Sequence, residues 1–294
     1  MPALIDLRRR IRSVRNTQQV TKAMKTVAAA KFKKAQRAVL EGRPHWHAAP
    51  AFIDRLARQA GEAAHPLLVP REERLVDLVV ITSDKGLCGA FNSNLLAHAL
   101  AFAGRKAETS GLRLFLYGKK AVNVFRRLRY PIESSVAENT DRLGEEAFRE
   151  LGRTLFRRFL YLETDAVYIA SNEFKSVLAP KIALVRLLPL SGEEIPVTGD
   201  AAASGGAAGF PDWEPSAPQL MSFFLPRYVE DQILHAFAES QAAEQAARMM
   251  AMDSASKNAE DLIACLTLHL NKVRQAGITK ELLEIMTAVE ALKA

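Results

Sequence analysis

MMAMDSASKNAEDLIACLTLHLNKV, Met249 to Val273, sets apolar or small residues at Met249, Met252, Ser256, Ala259, Ile263, Leu266, Leu270 and Val273, alternating three and four apart. That is the seam of a left-handed coiled coil. Between Arg227 and Ala294 there is no proline and one glycine, Gly277, so the helix carrying the seam approaches 100 Å at about 1.5 Å per residue. After Val273 the next seam positions are Gly277 and Lys280, which are poor knobs, and a new phase starts with Ile278, Leu282, Ile285, Val289 and Leu292. Small residues from Ala242 to Ser256 let a second helix come close.

That second helix is at the other end of the chain. Pro2 to Gly42 contains no internal proline or glycine and is dominated by good helix formers. Leu4, Leu7, Ile11 and Val14 keep the seam spacing, Gln18, Thr21 and Lys25 interrupt it, and Ala28, Phe32, Ala35 and Val39 restore it. Residues 1–40 hold eleven Lys/Arg against Asp6, a net +10, whereas residues 213–294 hold seven Lys/Arg against eleven Asp/Glu, a net −4. A basic arm suits nucleic acid, an anionic membrane surface or an acidic helix, and this chain carries the last of these itself. About ten seam residues, each worth roughly 1.5–3 kcal/mol when buried, set an upper bound on the order of 15–30 kcal/mol before ordering entropy. Such a gain holds two helices together outside a globular core.

Between the ends the pattern changes. Val76 to Thr82 is a short apolar run, followed by a helical stretch from about Asn92 to Lys106; Leu112 to Tyr117 and Lys119 to Arg129 repeat strand and helix. Glu145 to Leu160 is helical, Ala166 to Ala170 a strand, and Lys181 to Leu188 extended. The alternation predicts an α/β layer with a mostly parallel sheet. The predicted organisation is an amino-terminal shaft helix over 1–60, an α/β domain over 70–220 with a Gly/Ala-rich loop near 191–218, and a carboxyl-terminal shaft helix over 221–294.

Composition excludes several classes. The 294 residues are 49% apolar and 25% charged with net charge +7, an ordinary globular balance. Cys88 and Cys265 belong to no CxxC or Cys/His cluster, so neither a disulfide framework nor a zinc site is expected, and a reducing compartment fits. No apolar run is long enough for a membrane span. The turn SDKGLCGAFN, Ser83 to Asn92, follows a strand and precedes a helix but has only Gly86 and Gly89, matching neither GxGxxG nor GxxxxGK[ST]; Gly111 and Gly118-Lys119-Lys120 miss similarly. Cys88 at a helix start is a candidate thiolate with no histidine near it in sequence, better read as packed or turn-forming. His45 and His47 read as part of a solvated loop between Pro44 and Pro50 rather than a metal pair. Arg8, Arg9, Arg10, Arg12 and Arg15 lack the interleaved aromatics of a single-strand binder. No catalytic constellation, cofactor site or metal site stands out.

The motifs themselves carry a resemblance. LRRRIRSVRNTQQVTKAMKTVAAAKFKKAQ (Leu7 to Gln36), SDKGLCGAFN, AARMMAMDSASKNAEDLI (Ala246 to Ile263) and RQAGITKELLEI (Arg274 to Ile285) resemble, in family order and from end to end, the gamma subunit of rotary ATP synthases. The resemblance implies a non-catalytic rotor: an antiparallel coiled coil inside a ring of alternating alpha and beta subunits. Its foot would meet the epsilon subunit and the membrane c-subunit ring, with nucleotide chemistry on beta. It implies that Arg274, Gln275, Thr279, Glu281 and Glu284 meet beta-subunit loops, with Met24 and Lys25 opposite on the amino helix, and that Lys85 and Cys88 lie close to the moving part of a beta subunit. The location implied is peripheral, on the cytoplasmic face of a bacterial inner membrane. Met286-Thr287-Ala288-Val289 replaces the family's small, glycine-bearing stretch, residues 198–209 read as an added loop, and the chloroplast-type paired-cysteine insertion is missing. The rival readings are a basic nucleic-acid-binding protein and a Rossmann-like enzyme.

Overall fold

The computed structural model describes residues 2–60, 65–138, 140, 143–175, 181–190, 214 and 216–291. Two long helices bracket the chain: α1, Pro2–Ala60, and α5, Ala217–Ala291. The chain divides into two compact units, one of Met1–Ala29 with Arg248–Ala294 and one of Ala30–Ala247. The Gly/Ala-rich segment 198–209 lies outside the described residues.

In the first unit α1 and α5 pair along the expected seam. Ile11, Thr21 and Ala28 are buried on α1, and Met252, Ser256 and Ala259 on α5. Ile263, Leu266, Leu270, Val273 and Gly277 continue the seam as half-buried positions while their neighbours are exposed. Thr21 lies against Ser256 and Lys25 against Asp253, so the helices run antiparallel. The polar interruption at Thr21 is therefore a matched pair within the chain.

In the second unit a five-stranded sheet has the order β3-β2-β1-β4-β5. The strands are β1 Leu75–Ile81, β2 Gly111–Tyr117, β3 Ile132–Val136, β4 Ala166–Glu173 and β5 Lys181–Leu188. Pairings β1 with β2, β1 with β4 and β2 with β3 are parallel, and β5 returns antiparallel to β4. Helices α2 (Phe91–Thr109) and α3 (Lys119–Arg127) cover one face, where Leu78, Val80, Leu95, Leu114 and Phe125 are buried. On the other face α4 (Glu145–Leu160) and the long helices bury Ile53, Leu56, Leu155, Phe159, Met221, Leu225 and Val229. β1 reads as a nearly continuous apolar run because both of its faces are covered. The exception is Asp77, 1% exposed, whose Oδ2 accepts from Arg158 Nε at 2.9 Å.

Both long helices run through their prolines. Pro44 and Pro50 lie inside α1, so the expected loop at His45–His47 is helix, although the two imidazoles lie outside the described side chains. α5 begins at Ala217 and passes through Pro226. An internal proline costs about 3 kcal/mol. Burial on the proline-bearing stretches offsets it: Ile53 and Leu56 beyond Pro50, Met221 and Leu225 before Pro226. The short strand β3 has no distinct apolar pattern in Ile132-Glu133-Ser134-Ser135-Val136 and was not expected.

Candidate functional site

A doubly wound sheet takes ligands at the carboxyl ends of its strands, where the strand order reverses. Here that place lies between β1 and β4, and it is full. The turn after β1 is held tightly: Ser83 N–H donates to Asn92 Oδ1 (3.0 Å), Asn92 Nδ2 to Ser83 Oγ (2.8 Å), and Asp84 accepts from the Thr140 and Lys119 amides (2.8 and 3.1 Å). Gly118, with φ +96°, brings the β2–α3 turn so close that an added Cβ would stand 2.2 Å from Thr82 O. Cys88, Phe91 and, beyond β4, Phe174 pack on Phe32 and Val39 of α1 and Ala242, Ala243 and Ala246 of α5. The switch point that holds a nucleotide in other folds here holds the chain's own helices.

Cys88 is buried, and Asn92 Nδ2 donates to its Sγ at 3.2 Å. What the turn presents outward is Lys85 and Leu87. Of the remaining expected contact residues, Met24 is half-buried, and Lys25 is exposed but joined to Asp253 at 2.6 Å. Hydrogen bonds from Lys25 and Lys257 hold the Asp253 carboxyl below its ordinary range.

The other five expected residues stand together on one bare stretch. Since Thr21 faces Ser256 and Lys25 faces Asp253, Pro2 falls level with about Gln275. α5 runs on to Ala291, about 24 Å further at 1.5 Å per residue. On this stretch, with Arg274 at its root, Gln275, Thr279, Glu281 and Glu284 are all exposed. Ile278, Leu282, Leu283, Ile285 and Met286 are each more than half exposed. Among the described residues the side-chain bonds of this stretch run along the helix: Thr279 Oγ1 donates to Gln275 O at 3.0 Å, and Lys280 meets Glu284 at 3.7 Å.

Two polar groupings escaped the sequence reading. One is the Thr21–Ser256 pair, buried at 2.7 Å, whose signal was two hydroxyls on facing seams. The other is Glu239, 3% exposed in an alanine-rich stretch of α5. Burial alone would push its carboxyl up, but hydrogen bonds from His235 and the Phe174 amide and the Arg43 guanidinium bring it below the ordinary value. Among the described residues no cluster of three or more His, Cys, Asp or Glu could hold a metal, and no helix is long and apolar enough to cross a membrane.

An α/β layer carried in sequence between two long helices, whose terminal stretches pair antiparallel and leave an apolar part of α5 exposed, is the architecture of a shaft-bearing subunit. A family model described as ATP synthase matches residues 3–292. The ATP synthase gamma chain of Anaeromyxobacter dehalogenans (strain 2CP-C) is 44% identical over 297 residues, covering 99% of this chain and all of that one. That of Pelotomaculum thermopropionicum is 40% identical over 299 residues with full coverage of both. Among solved structures, the Tetrahymena thermophila mitochondrial ATP synthase central stalk/c-ring gives a TM-score of 0.61 at 24% identity, covering 81% of this chain and 99% of that one. The OSCP/F1/c-ring of Euglena gracilis mitochondrial ATP synthase gives 0.67 at 19%, covering 99% and 95%. The chain belongs to the ATP synthase gamma chain family.

Proposed function

We infer that this chain is the central-stalk rotor of an F-type ATP synthase, coupling ion flow through a membrane ring to ATP synthesis or hydrolysis on beta subunits. The observation that carries this reading is the bare end of α5. Five large apolar side chains on this stretch of α5, each more than half exposed, have no covering among the described residues. At about 25 cal/mol per Å² of apolar surface, a surrounding sleeve would gain several kcal/mol by enclosing them. A ring of alternating alpha and beta subunits is such a sleeve.

In this reading the chain forms no bonds in substrate and needs no cofactor; its shaft comprises 1–60 and 221–294, and its α/β domain 70–220. Arg274, Gln275, Thr279, Glu281 and Glu284 meet beta-subunit loops, with Met24 and Lys25 opposite. Lys85 at the exposed turn faces the moving part of beta, while Cys88 beneath it sets the turn's shape. The epsilon subunit and the c-subunit ring bind the foot, on the cytoplasmic face of a bacterial inner membrane. Rotation does work because the shaft's contacts differ with angle; a partner met equally at all angles would shift no equilibrium.

The test is to coexpress the chain with its own alpha and beta subunits, purify by a tag on beta, and attach a bead through a cysteine replacing the exposed Glu108. Cys265, which is also exposed, is changed to Ser so that labelling stays at one place. Unidirectional stepping during ATP hydrolysis is expected. Failure of the chain to copurify with active alpha and beta would defeat the rotor reading.

A further inference from the structure

Phe174, the residue after β4, is held by both long helices at once. Its amide donates to Glu239 Oε2 of α5 at 2.9 Å, and its carbonyl accepts from Arg43 Nη2 of α1 at 2.8 Å. Arg43 also donates to Glu239 Oε1 through Nε at 3.3 Å and Nη2 at 3.2 Å. A guanidinium from one helix and a carboxylate from the other thus close a ring around one residue's backbone. The Phe174 side chain points into the same place, edge-on to Phe32 of α1 at 5.3 Å between ring centroids. His235, one turn before Glu239, brings Nε2 within 3.3 Å of Oε1 and stacks on Trp46 of α1 at 4.3 Å.

Most of the contact between these helices and the sheet is apolar, through Ile53, Leu56, Met221, Leu225 and Val229. Apolar burial is non-directional and resists sliding poorly. Charge-assisted hydrogen bonds have fixed lengths and angles, and they are stronger where water is excluded. Glu173, the residue before Phe174, lies in the β4–β5 ladder, and Val76 to Val80 of β1 pair with β4. A twist applied at Arg43 and Glu239 therefore enters the sheet through its backbone.

We propose that Glu239 and Arg43 form a clamp on Phe174 through which rotation passes between the helix pair and the α/β domain, making both positioning residues for energy coupling. The proposal rests on the rotor reading. It is tested in inverted vesicles carrying the whole complex, with ATP hydrolysis and ion uptake followed together, uptake by acidification and by a sodium tracer. Glu239→Gln keeps an acceptor for the Phe174 amide but removes the charge that holds Arg43, and Arg43→Gln removes the guanidinium. Each is expected to hydrolyse ATP within about twofold of the unsubstituted complex, while ions moved per ATP fall roughly threefold or more. The double variant falls no further than either single one, because the two act as a unit. Glu72→Gln, at the exposed Arg74–Glu72 pair, leaves the ratio unchanged.

An unchanged ratio in both single variants overturns the clamp, as does a double variant whose loss is the product of the two. If Glu239→Gln does not assemble, Arg43→Gln decides alone, since its side chain is one-third exposed. Failure of both to assemble also overturns the proposal, because the group would then serve folding and not rotation. Vesicles lacking this chain separate the two claims. ATP-driven uptake that persists without it defeats the rotor reading, whereas uptake abolished without it and a normal ratio in the variants defeat only the clamp.

Discussion

Two hydroxyls on facing helices show how a polar residue can belong on a seam. Thr21 Oγ1 lies 2.7 Å from Ser256 Oγ, and each hydroxyl also has a carbonyl one turn back, Gln18 O at 2.9 Å and Met252 O at 2.8 Å. Shifting the helices past each other by one turn would leave both hydroxyls facing apolar neighbours, so the pair fixes the register. Thr21→Val should cost about 1–2 kcal/mol in urea unfolding of the purified chain, and adding Ser256→Ala should cost less than a second such loss, because the partner is then no longer stranded. Glu239 gives a pH-dependent counterpart. Its folded pKa is depressed, so its stabilisation is full above the unfolded value near 4.5 and is lost as pH falls through the folded one. Unfolding curves taken on the acid side of 4.5 should therefore flatten in Glu239→Gln relative to the unsubstituted chain. The seam was legible in the residues because apolar spacing is periodic. These pairings were not, because a lone Thr, Ser or Glu is meaningful only once its neighbour from the far end of the chain is known.

Among the elements, prolines mark where local propensity and packing disagree. Pro44, Pro50 and Pro226 argue for breaks, and the helices continue because their proline-bearing stretches bury large side chains against the sheet. Propensity alone therefore argues for breaks that packing overrides. β3 was hidden for the opposite reason: an edge strand of five residues buries too little to impose a pattern. The crossing of α4 over α5 depends on Gly152, where an added Cβ would lie 2.8 Å from Glu230 Cα, a backbone atom that cannot swing aside. Gly152→Ala should push the helices apart and strain the Arg149–Glu230 and Arg153–Glu230 contacts, both now at 3.2–3.5 Å. A destabilisation of about 1–3 kcal/mol is expected, read as a lower thermal midpoint of the complex.

At the scale of the molecule, the charge asymmetry and the bare helix end belong to one design. The amino-terminal forty residues carry +10, and Arg8, Arg9, Arg10, Arg12 and Arg15 all face solvent, so the shaft offers a cationic surface to whatever encloses it. Beyond about Gln275 no described residue of α1 lies level with α5, and the phase shift at Gly277 and Ile278 marks the change from a helix packed on its partner to one whose described positions are exposed. That shift was visible as a stutter in the spacing. Its cause was not, because the register of α1 against α5 is fixed by Thr21–Ser256 and Lys25–Asp253. Removing 275–294 deletes little of the packing seen among the described residues, since Ile278, Leu282, Leu283, Ile285 and Met286 are already more than half exposed. The truncated chain should keep the thermal midpoint of its α/β domain, measured by the melting of its near-ultraviolet dichroism, while torque in the bead assay and ion transport per ATP fall sharply. If the α/β midpoint falls in proportion to torque, the end of α5 is part of the folded core and its exposed apolar face has no separate role in rotation.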